Sequence, residues 1–219
     1  VRQEIAAEKD GSSGNLALGV PYSYVRFVLP TLLEGYVALH PNIHVNITTA
    51  LSDELVRQVQ DGTLDVCFAR YAVEDETMAT RVVSRDQIAV YSKPFTIEQL
   101  PQIPYIEFTK NAVTNAAIRQ WWNENFAVPQ EMRFNVYNAD TCLSMVQHHL
   151  GYGIFPDRNY FANVPGLYSV PLVYRDGTQF TRKTWLIHKK KALENPIVAQ
   201  FVEYVSQLDI NAIAEGAGH

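Results

Sequence analysis

The sequence predicts an α/β fold of two lobes, each a βαβαβ unit, with two crossover strands joining the lobes. Residues 16–69 alternate between strand-like and helix-like hydrophobic spacing, and residues 105–155 repeat the same order of elements. Short apolar runs at 88–91 and 184–187 lie between and after these stretches. Because parallel strands joined by helices need right-handed crossovers, each stretch predicts one sheet layer. A chain that builds one lobe, crosses to a second and crosses back predicts a hinged binding protein with a cleft between its lobes.

The first half of the first lobe shows two changes of hydrophobic period. Residues 16–20 alternate between larger and smaller side chains, which predicts a short strand. Residues 25–37 carry apolar side chains at intervals of three and four, which predicts one amphipathic helix. Pro30 lies in its first turns, where a missing N–H does least harm. Residues 45–49 alternate again as a second strand.

The second half of the first lobe begins at Ser52, which has the residue type of a helix N-cap. Apolar residues at 55–59 continue this helix, and Gly62 closes it. The compact apolar run at 66–69 suits a strand that is buried on both faces.

The second lobe follows the same rules with different residues. We expect strands at 105–108, 134–137 and 153–155, helices at 118–126 and 143–150, and a final helix after Pro196. Trp121 and Trp122 adjoin on a predicted helix, so we expect one ring in the core and the other at the surface or an interface.

The first break in the chain is the flexible joint Gly11-Ser12-Ser13-Gly14. We therefore assign residues 1–13 to the end of a polar helix and this joint. Lobe I is expected at 14–90 together with 189–219, and lobe II at 91–188.

The charge of the chain argues against DNA binding by these residues alone. The 18 Lys and Arg residues and 23 Asp and Glu residues give a net charge of −5, and the longest basic run is Lys189-Lys190-Lys191. A domain that grips nucleic acid needs a basic face. DNA is therefore not an expected partner of this chain by itself.

Cysteine usage and hydropathy indicate the compartment. Cys67 and Cys142 are far apart and belong to no C-x-x-C pair, so we interpret them as small core residues in a reducing compartment. No stretch has the roughly 18 apolar residues of a spanning helix, and the first residues do not resemble a signal peptide. We expect a soluble, cytoplasmic protein with no membrane partner.

Four stretches, taken in order, carry a family resemblance. They are Gly14-Asn15-Leu16-Ala17-Leu18-Gly19, Leu29-Pro30-Thr31-Leu32-Leu33 with Tyr36 and His40-Pro41-Asn42-Ile43, Asp61-Gly62-Thr63-Leu64-Asp65-Val66, and Gly151-Tyr152-Gly153-Ile154. In order and spacing they resemble the effector-binding domain of LysR-type transcriptional regulators. The resemblance covers most of the chain from Gly14 onward.

This resemblance implies a fold, a function and partners. The fold is the two-lobed, type-II periplasmic-binding-protein-like fold. The function is to sense a small-molecule effector and to control DNA binding or transcription activation by an attached helix-turn-helix, which is absent from this chain. Residues 1–10 then form the end of the linker helix. The family also implies a homodimer, and a tetramer for the full-length protein.

The candidate effector site follows from the sheet edge where strands end and helices begin. In lobe I this edge carries Tyr22, Ser23, Tyr24, Ser52 and Arg70, and in lobe II it carries Lys110, Asn111 and Asn138. The family resemblance adds Phe155 as a candidate contact. Helix N-termini at such an edge favour an anion. Ser23 and Ser52 also match the positions at which LysR-type pockets hold the effector. We therefore expect an anionic ligand with Arg70 as its cationic contact.

Each candidate has a simpler structural interpretation, and both stay open at this point. The serines and Asn138 have the residue types of helix caps, Arg70 could be solvated or salt-bridged, and Lys110 could be an exposed loop residue. The tyrosines at 22 and 24 could be core or interface aromatics.

Signatures of catalysis and cofactor binding are missing from the sequence. His148 and His149 adjoin and therefore point apart on a helix, so we expect no metal site. No nucleophile elbow surrounds Ser23, and the early glycines do not form a dinucleotide fingerprint. We expect no cofactor and no enzyme activity. The alternatives are a transporter's solute-binding protein with the same fold, and a small α/β enzyme that uses the cleft.

Overall fold

The computed structural model describes residues 11–108, 112–156 and 164–214, and it contains two compact units. Unit 1 runs up to Arg85 and resumes at Lys183, and unit 2 spans Asp86–Arg182. Both boundaries fall inside long strands. Our sequence-based division at 90/91 and 188/189 differs by a few residues, because hydrophobic spacing does not reveal where one continuous strand leaves a unit.

Helices and strands alternate along both units. The elements are β1 (Gly14–Pro21), α1 (Tyr22–Phe27), α2 (Leu29–Leu39), β2 (Ile43–Ala50), α3 (Ser52–Asp61), β3 (Val66–Ala69), β4 (Met78–Ser92), β5 (Tyr105–Glu107), α4 (Ala112–Asn125), β6 (Met132–Asn135), α5 (Ala139–Gln147), β7 (Gly153–Pro156), β8 (Tyr168–Pro171), β9 (Thr181–Lys189), α6 (Pro196–Gln207) and α7 (Ile210–Ala214). Short 3₁₀ helices lie at Ile97–Gln102 and Lys190–Glu194.

In unit 1 the strands lie in the order β2-β1-β3-β9, and the order continues to β4. Strand β1 is parallel to β2 and β3, and β3 is antiparallel to β9. Along β1 and β3, alternate side chains enter two cores, since Leu18 and Phe68 pack with α1, α2 and α6 whereas Cys67 packs with α3. Helices on both faces explain why β3 is buried at every position.

Gly19 allows β1 to pack closely against β3 and the Leu64 side chain. A Cβ atom at Gly19 would lie 2.6 Å from Leu64 Cδ1 and 2.8 Å from Cys67 Cβ. A larger side chain at this position would clash with strand β3 at Cys67 and with the Leu64 side chain.

In unit 2 the end of β4 pairs antiparallel with β7 and β8, and β5 and β6 form a parallel pair. The core packs α4 against these strands and is rich in aromatic residues. Trp121 and Trp122 are both buried, which corrects the expectation that one ring would be exposed. Both fit because each indole Nε1–H donates to a carbonyl, Val173 O at 2.8 Å and Val128 O at 2.7 Å.

Further expectations about individual helices and strands need correction. The single helix predicted over 25–37 is two helices that break at Val28, because Pro30 begins a new helix and cannot continue the preceding one. Strand β6 ends at Asn135, which leaves Tyr137 outside it and exposed. Helix α5 ends before Leu150, which is also exposed. The β4 strand is much longer than the predicted segment at 88–91, and β8 was not predicted.

Candidate functional site

The candidate site in unit 1 lies where the parallel strands β1, β2 and β3 end. These strands end at Pro21, Ala50 and Ala69, and helices α1 and α3 begin immediately after the first two. Arg70 follows β3 directly. The three chain segments that follow these strands therefore share one edge of the sheet, as expected from the sequence.

Ser52 is not the N-cap that its residue type predicts. Leu51 occupies the N-cap position of α3 without a side-chain cap, and Ser52 is the first helical residue. Its Oγ instead accepts a hydrogen bond from the backbone N–H of Arg70 at 3.1 Å. Among the described residues, none accepts the proton of this hydroxyl. Ser52 therefore has a donor left over while being only 5% exposed.

Arg70 is buried, which excludes the solvated alternative. The residue is 8% exposed, and its Nη1 donates to the hydroxyl of Thr184 on β9. Its guanidinium carbon lies 5.5 Å from the centroid of the Tyr24 ring. That ring in turn packs against Phe68 at a centroid distance of 4.7 Å. Thr184 and Tyr24 thus hold the cationic group in place.

The other candidates in unit 1 differ in position. Tyr24 is fully buried and is a core aromatic, whereas Tyr22 is 53% exposed. Ser23 lies in α1, and its side chain is outside the described part of the structure. Sequence reasoning missed Thr184, although a polar residue inside the apolar run at 184–187 was the available signal.

Tyr71 follows Arg70 in the chain and lies near Asp53 of α3. Burial, together with a hydrogen bond to Asp53, raises the pKa of Tyr71 to about 12. The phenol therefore keeps its proton even at pH 10, near a carboxylate in the first turn of α3.

The candidates in unit 2 form no single cluster in the described residues. Lys110 and Asn111 lie outside the described residues. Asn138 caps α5, since its Oδ1 accepts from Thr141 N–H at 2.8 Å. Phe155 is fully buried and stacks on Phe108 at 5.0 Å between ring centroids. Asn138 is thus a helix cap, and Phe155 is a core aromatic of unit 2.

The described residues include neither a metal-binding cluster nor a membrane-spanning helix. Residues 11–108, 112–156 and 164–214 contain no group of three or more His, Cys, Asp or Glu side chains that could hold a metal ion. None of their helices is both long enough and apolar enough to cross a membrane.

Comparisons with known proteins agree on one family. Residues 9–209 match the family model described as the LysR substrate binding domain. The uncharacterized HTH-type transcriptional regulator YraN of Bacillus subtilis (strain 168) is 28% identical over 210 residues, which cover 93% of this chain and 72% of that protein.

Solved structures share the fold at low sequence identity. Full-length CbnR in complex with its target DNA has a TM-score of 0.75 at 19% identity, covering 94% of this chain and 72% of that chain. A variant of the OxyR2 regulatory domain from Vibrio vulnificus has a TM-score of 0.71 at 20% identity, covering 90% and 96%. These similarities confirm the predicted type-II periplasmic-binding-protein-like fold.

Proposed function

The chain belongs to the LysR substrate binding domain family, and from this premise we propose that it binds a small anionic effector through Ser52 and Arg70. The observation that carries the proposal is that the buried Ser52 hydroxyl, whose proton has no acceptor among the described residues, adjoins a buried guanidinium and is linked to it through the Arg70 backbone N–H. An anion accepts hydrogen bonds from both groups. The family match favours a transcription regulator over a transporter's solute-binding protein.

The chemistry of these two residues suits a carboxylate, phosphate or sulfate group. The guanidinium stays charged and presents several N–H donors in one plane, and the serine adds an O–H donor. Asp53 and Glu54 in the first turn of α3 already offset its dipole. The hydroxyl and the guanidinium, rather than the helix end, therefore supply the main attraction.

The remaining candidates are assigned supporting roles. Ser23 would donate a second hydroxyl from α1. The Tyr24 ring would position the Arg70 guanidinium through the contact between them. Lys110, Asn111, Asn138 and Phe155 remain predicted contacts from unit 2. Asn138 can contact the effector only while it also caps α5, because its Oδ1 already accepts a hydrogen bond from Thr141 N–H.

A ligand screen followed by calorimetry tests the assignment. Small carboxylic acids, phosphates and sulfates would be screened by thermal shift, and the best ligand titrated into wild type, Arg70→Lys, Ser52→Ala and Ser23→Ala. A hydrogen bond to a charged group contributes about 1.5–3 kcal/mol, so each variant should bind about tenfold to a hundredfold more weakly.

The control is Lys191→Gln, which removes an exposed cation in unit 1 that is not among the candidate contacts. It should bind the ligand like wild type. Unchanged affinity in both Arg70→Lys and Ser52→Ala would refute the assignment.

The output of binding is transcriptional control through an attached helix-turn-helix domain. An effector shifts such a regulator only by its difference in affinity between two arrangements, typically about 1–3 kcal/mol. The acidic chain alone should give no electrophoretic shift of operator DNA at physiological salt, whereas the full-length regulator should. A specific electrophoretic shift with the isolated chain would contradict the proposal that DNA binding belongs to the attached helix-turn-helix domain.

We further propose that the protein is a cytoplasmic homodimer, with a tetramer for the full-length regulator, and that it catalyses no reaction. These proposals follow from membership in a family of transcription regulators. A panel of hydrolase and transferase assays with no turnover would be the expected result.

A further inference from the structure

A separate pocket lies in unit 2, and none of the residues proposed to bind the effector lines it. Its volume is about 120 Å³, and Ser92, Lys93, Gln102, Pro104 and His149 are among its lining residues. One water needs about 10–15 Å³ of such space, so the pocket has room for a small molecule of several heavy atoms.

Ser92 is a buried hydroxyl without a hydrogen bond. The residue is 1% exposed, and within the described part of the chain its Oγ has no hydrogen-bond partner. Native structures leave few buried polar groups unsatisfied, because a buried group that forms no hydrogen bond loses its hydration without compensation. A bound acceptor would remove this penalty.

His149 occupies a backbone position that normally belongs to glycine. Helix α5 ends in a Schellman motif, in which His149 N donates to Val146 O at 2.9 Å and Leu150 N to Met145 O at 3.1 Å. His149 has φ 61 and is the non-glycine residue with positive φ in the described chain. His149 therefore has a backbone conformation that a glycine would adopt with less strain.

The lining of the pocket is electropositive in an acidic chain. Lys93, Gln102 and His149 bring donors, whereas no Asp or Glu lines the pocket. Among the described residues, neither Lys93 nor His149 forms an ion pair. The absence of acidic side chains from the lining of this pocket contrasts with the net charge of −5 of the whole chain.

We propose that this pocket binds a compact tetrahedral oxyanion, either as free phosphate or sulfate or as the phosphate group of a small phosphomonoester. Lys93 supplies the charge, Ser92 donates its free hydroxyl proton, and the Gln102 amide and the His149 ring donate further hydrogen bonds. Ile103 and Pro104 form an apolar wall that limits the size of the occupant.

Calorimetry on the 219-residue chain tests the proposal. Sodium sulfate, inorganic phosphate and glycerol phosphate would each be titrated against sodium chloride at equal ionic strength. We expect saturable binding that weakens about fivefold or more in Lys93→Gln and in His149→Gly, since each loses a charge-assisted hydrogen bond. The neighbouring His148→Gln and the distant Lys191→Gln are matched controls and should bind like wild type. Binding of glycerol phosphate identifies a phosphomonoester, and its exclusion identifies the free ion.

Thermal unfolding separates a binding role from a structural one. Without anion, His149→Gly and Ser92→Ala should melt at or above the wild-type temperature, because they remove a strained residue and an unpartnered hydroxyl. Sulfate should raise the melting temperature of wild type more than that of either variant. Crystals grown with selenate should show its anomalous signal beside Lys93 and His149. Selenate only beside Arg70, or sulfate affinity unchanged in Lys93→Gln and His149→Gly, would overturn the proposal.

Discussion

The hydroxyl oxygen of Ser52 accepts a hydrogen bond from the backbone N–H of Arg70, 3.1 Å away, and so joins the start of α3 to the residue after β3. Both residues are buried, so the bond is shielded from water. It fixes the backbone from which the Arg70 side chain reaches Thr184. The geometry of the candidate effector site therefore depends on a serine that is also one of its proposed ligands.

Ser52→Ala should destabilise the protein even without effector. The substitution leaves the buried N–H of Arg70 unsatisfied, which costs about 1–3 kcal/mol. The melting temperature should fall by several degrees, because about 1 kcal/mol corresponds to roughly 2–4 °C in a protein of this size. Calorimetric melting of the variant beside Ser144→Ala, which removes an exposed hydroxyl on α5, is the measurement. Equal melting of both variants would show that the bond contributes nothing.

Ser52 also shows how far sequence reasoning reaches. A serine before an apolar helix pattern correctly marks the start of α3. Local spacing cannot tell whether its oxygen bonds forward into its own helix or across to a residue 18 positions later. The contact between Arg70 and Thr184, 114 positions apart, is invisible for the same reason. The residue types of the site were predictable, but their partners were not.

The fold was predictable where burial is one-sided or complete. The run at 66–69 corresponds to β3, whose four residues are all buried, and the alternation at 16–20 lies in β1, where Ala17 alone of these five residues is half-buried. Strand β8 was missed because its four residues are exposed or half-buried and carry no apolar pattern. The two adjacent tryptophans were misjudged because helical spacing does not reveal the carbonyls of Val173 and Val128.

Tyr36 and Tyr204 are neighbouring tyrosines that allow the contribution of one hydrogen bond to stability to be measured. Their ring centroids are 5.4 Å apart. Tyr204 OH donates to Leu32 O at 3.1 Å, whereas the fully buried Tyr36 OH has no hydrogen-bond partner in the described chain. Tyr204→Phe should lower the free energy of unfolding by about 0.5–1.5 kcal/mol, and Tyr36→Phe should leave it unchanged or raise it. Urea unfolding measures both, and the reverse order would contradict the assignment.

The same tyrosine predicts a dependence on alkaline pH. Burial raises the pKa of Tyr36 to about 12 from its ordinary value of 10. The folded state therefore holds its proton more tightly, and this contribution is complete below pH 10 and is lost as the pH rises toward 12. The stability difference between Tyr36→Phe and wild type should accordingly grow from pH 9 to pH 11. A difference that stays constant over this range would show that Tyr36 ionises equally easily in both states.

Both cysteines should be inert in the folded protein. Cys67 and Cys142 are free and buried, and burial raises the pKa of each thiol to about 12. At pH 8 only about one thiol in ten thousand is then ionised, and the thiolate is the reactive form. Ellman's reagent should detect almost no thiol in the native protein and two after denaturation in guanidinium. Rapid native labelling of either cysteine would contradict the burial of both.

Association of two copies should depend on the apolar surface of α2 and β2. Val37 and Leu39 on α2 are 42% and 66% exposed, and Ile47 on the edge strand β2 is 44% exposed. We expect this surface to pack against the other lobe of a partner copy, so a twofold dimer would contain each residue twice. Burial of one such side chain contributes about 1.5–3 kcal/mol. Leu39→Glu should therefore weaken dimerisation more than a hundredfold.

Sedimentation equilibrium across micromolar concentrations measures this association. Leu193→Glu is the matched control, because Leu193 is 44% exposed in the same unit but lies in the 3₁₀ helix that precedes α6. Wild type and this control should both be dimers, and Leu39→Glu should be a monomer at the same concentration. A wild-type chain that stays monomeric at high micromolar concentration would refute the dimer. Loss of the dimer in Leu193→Glu instead would place the interface at the 3₁₀ helix that contains Leu193.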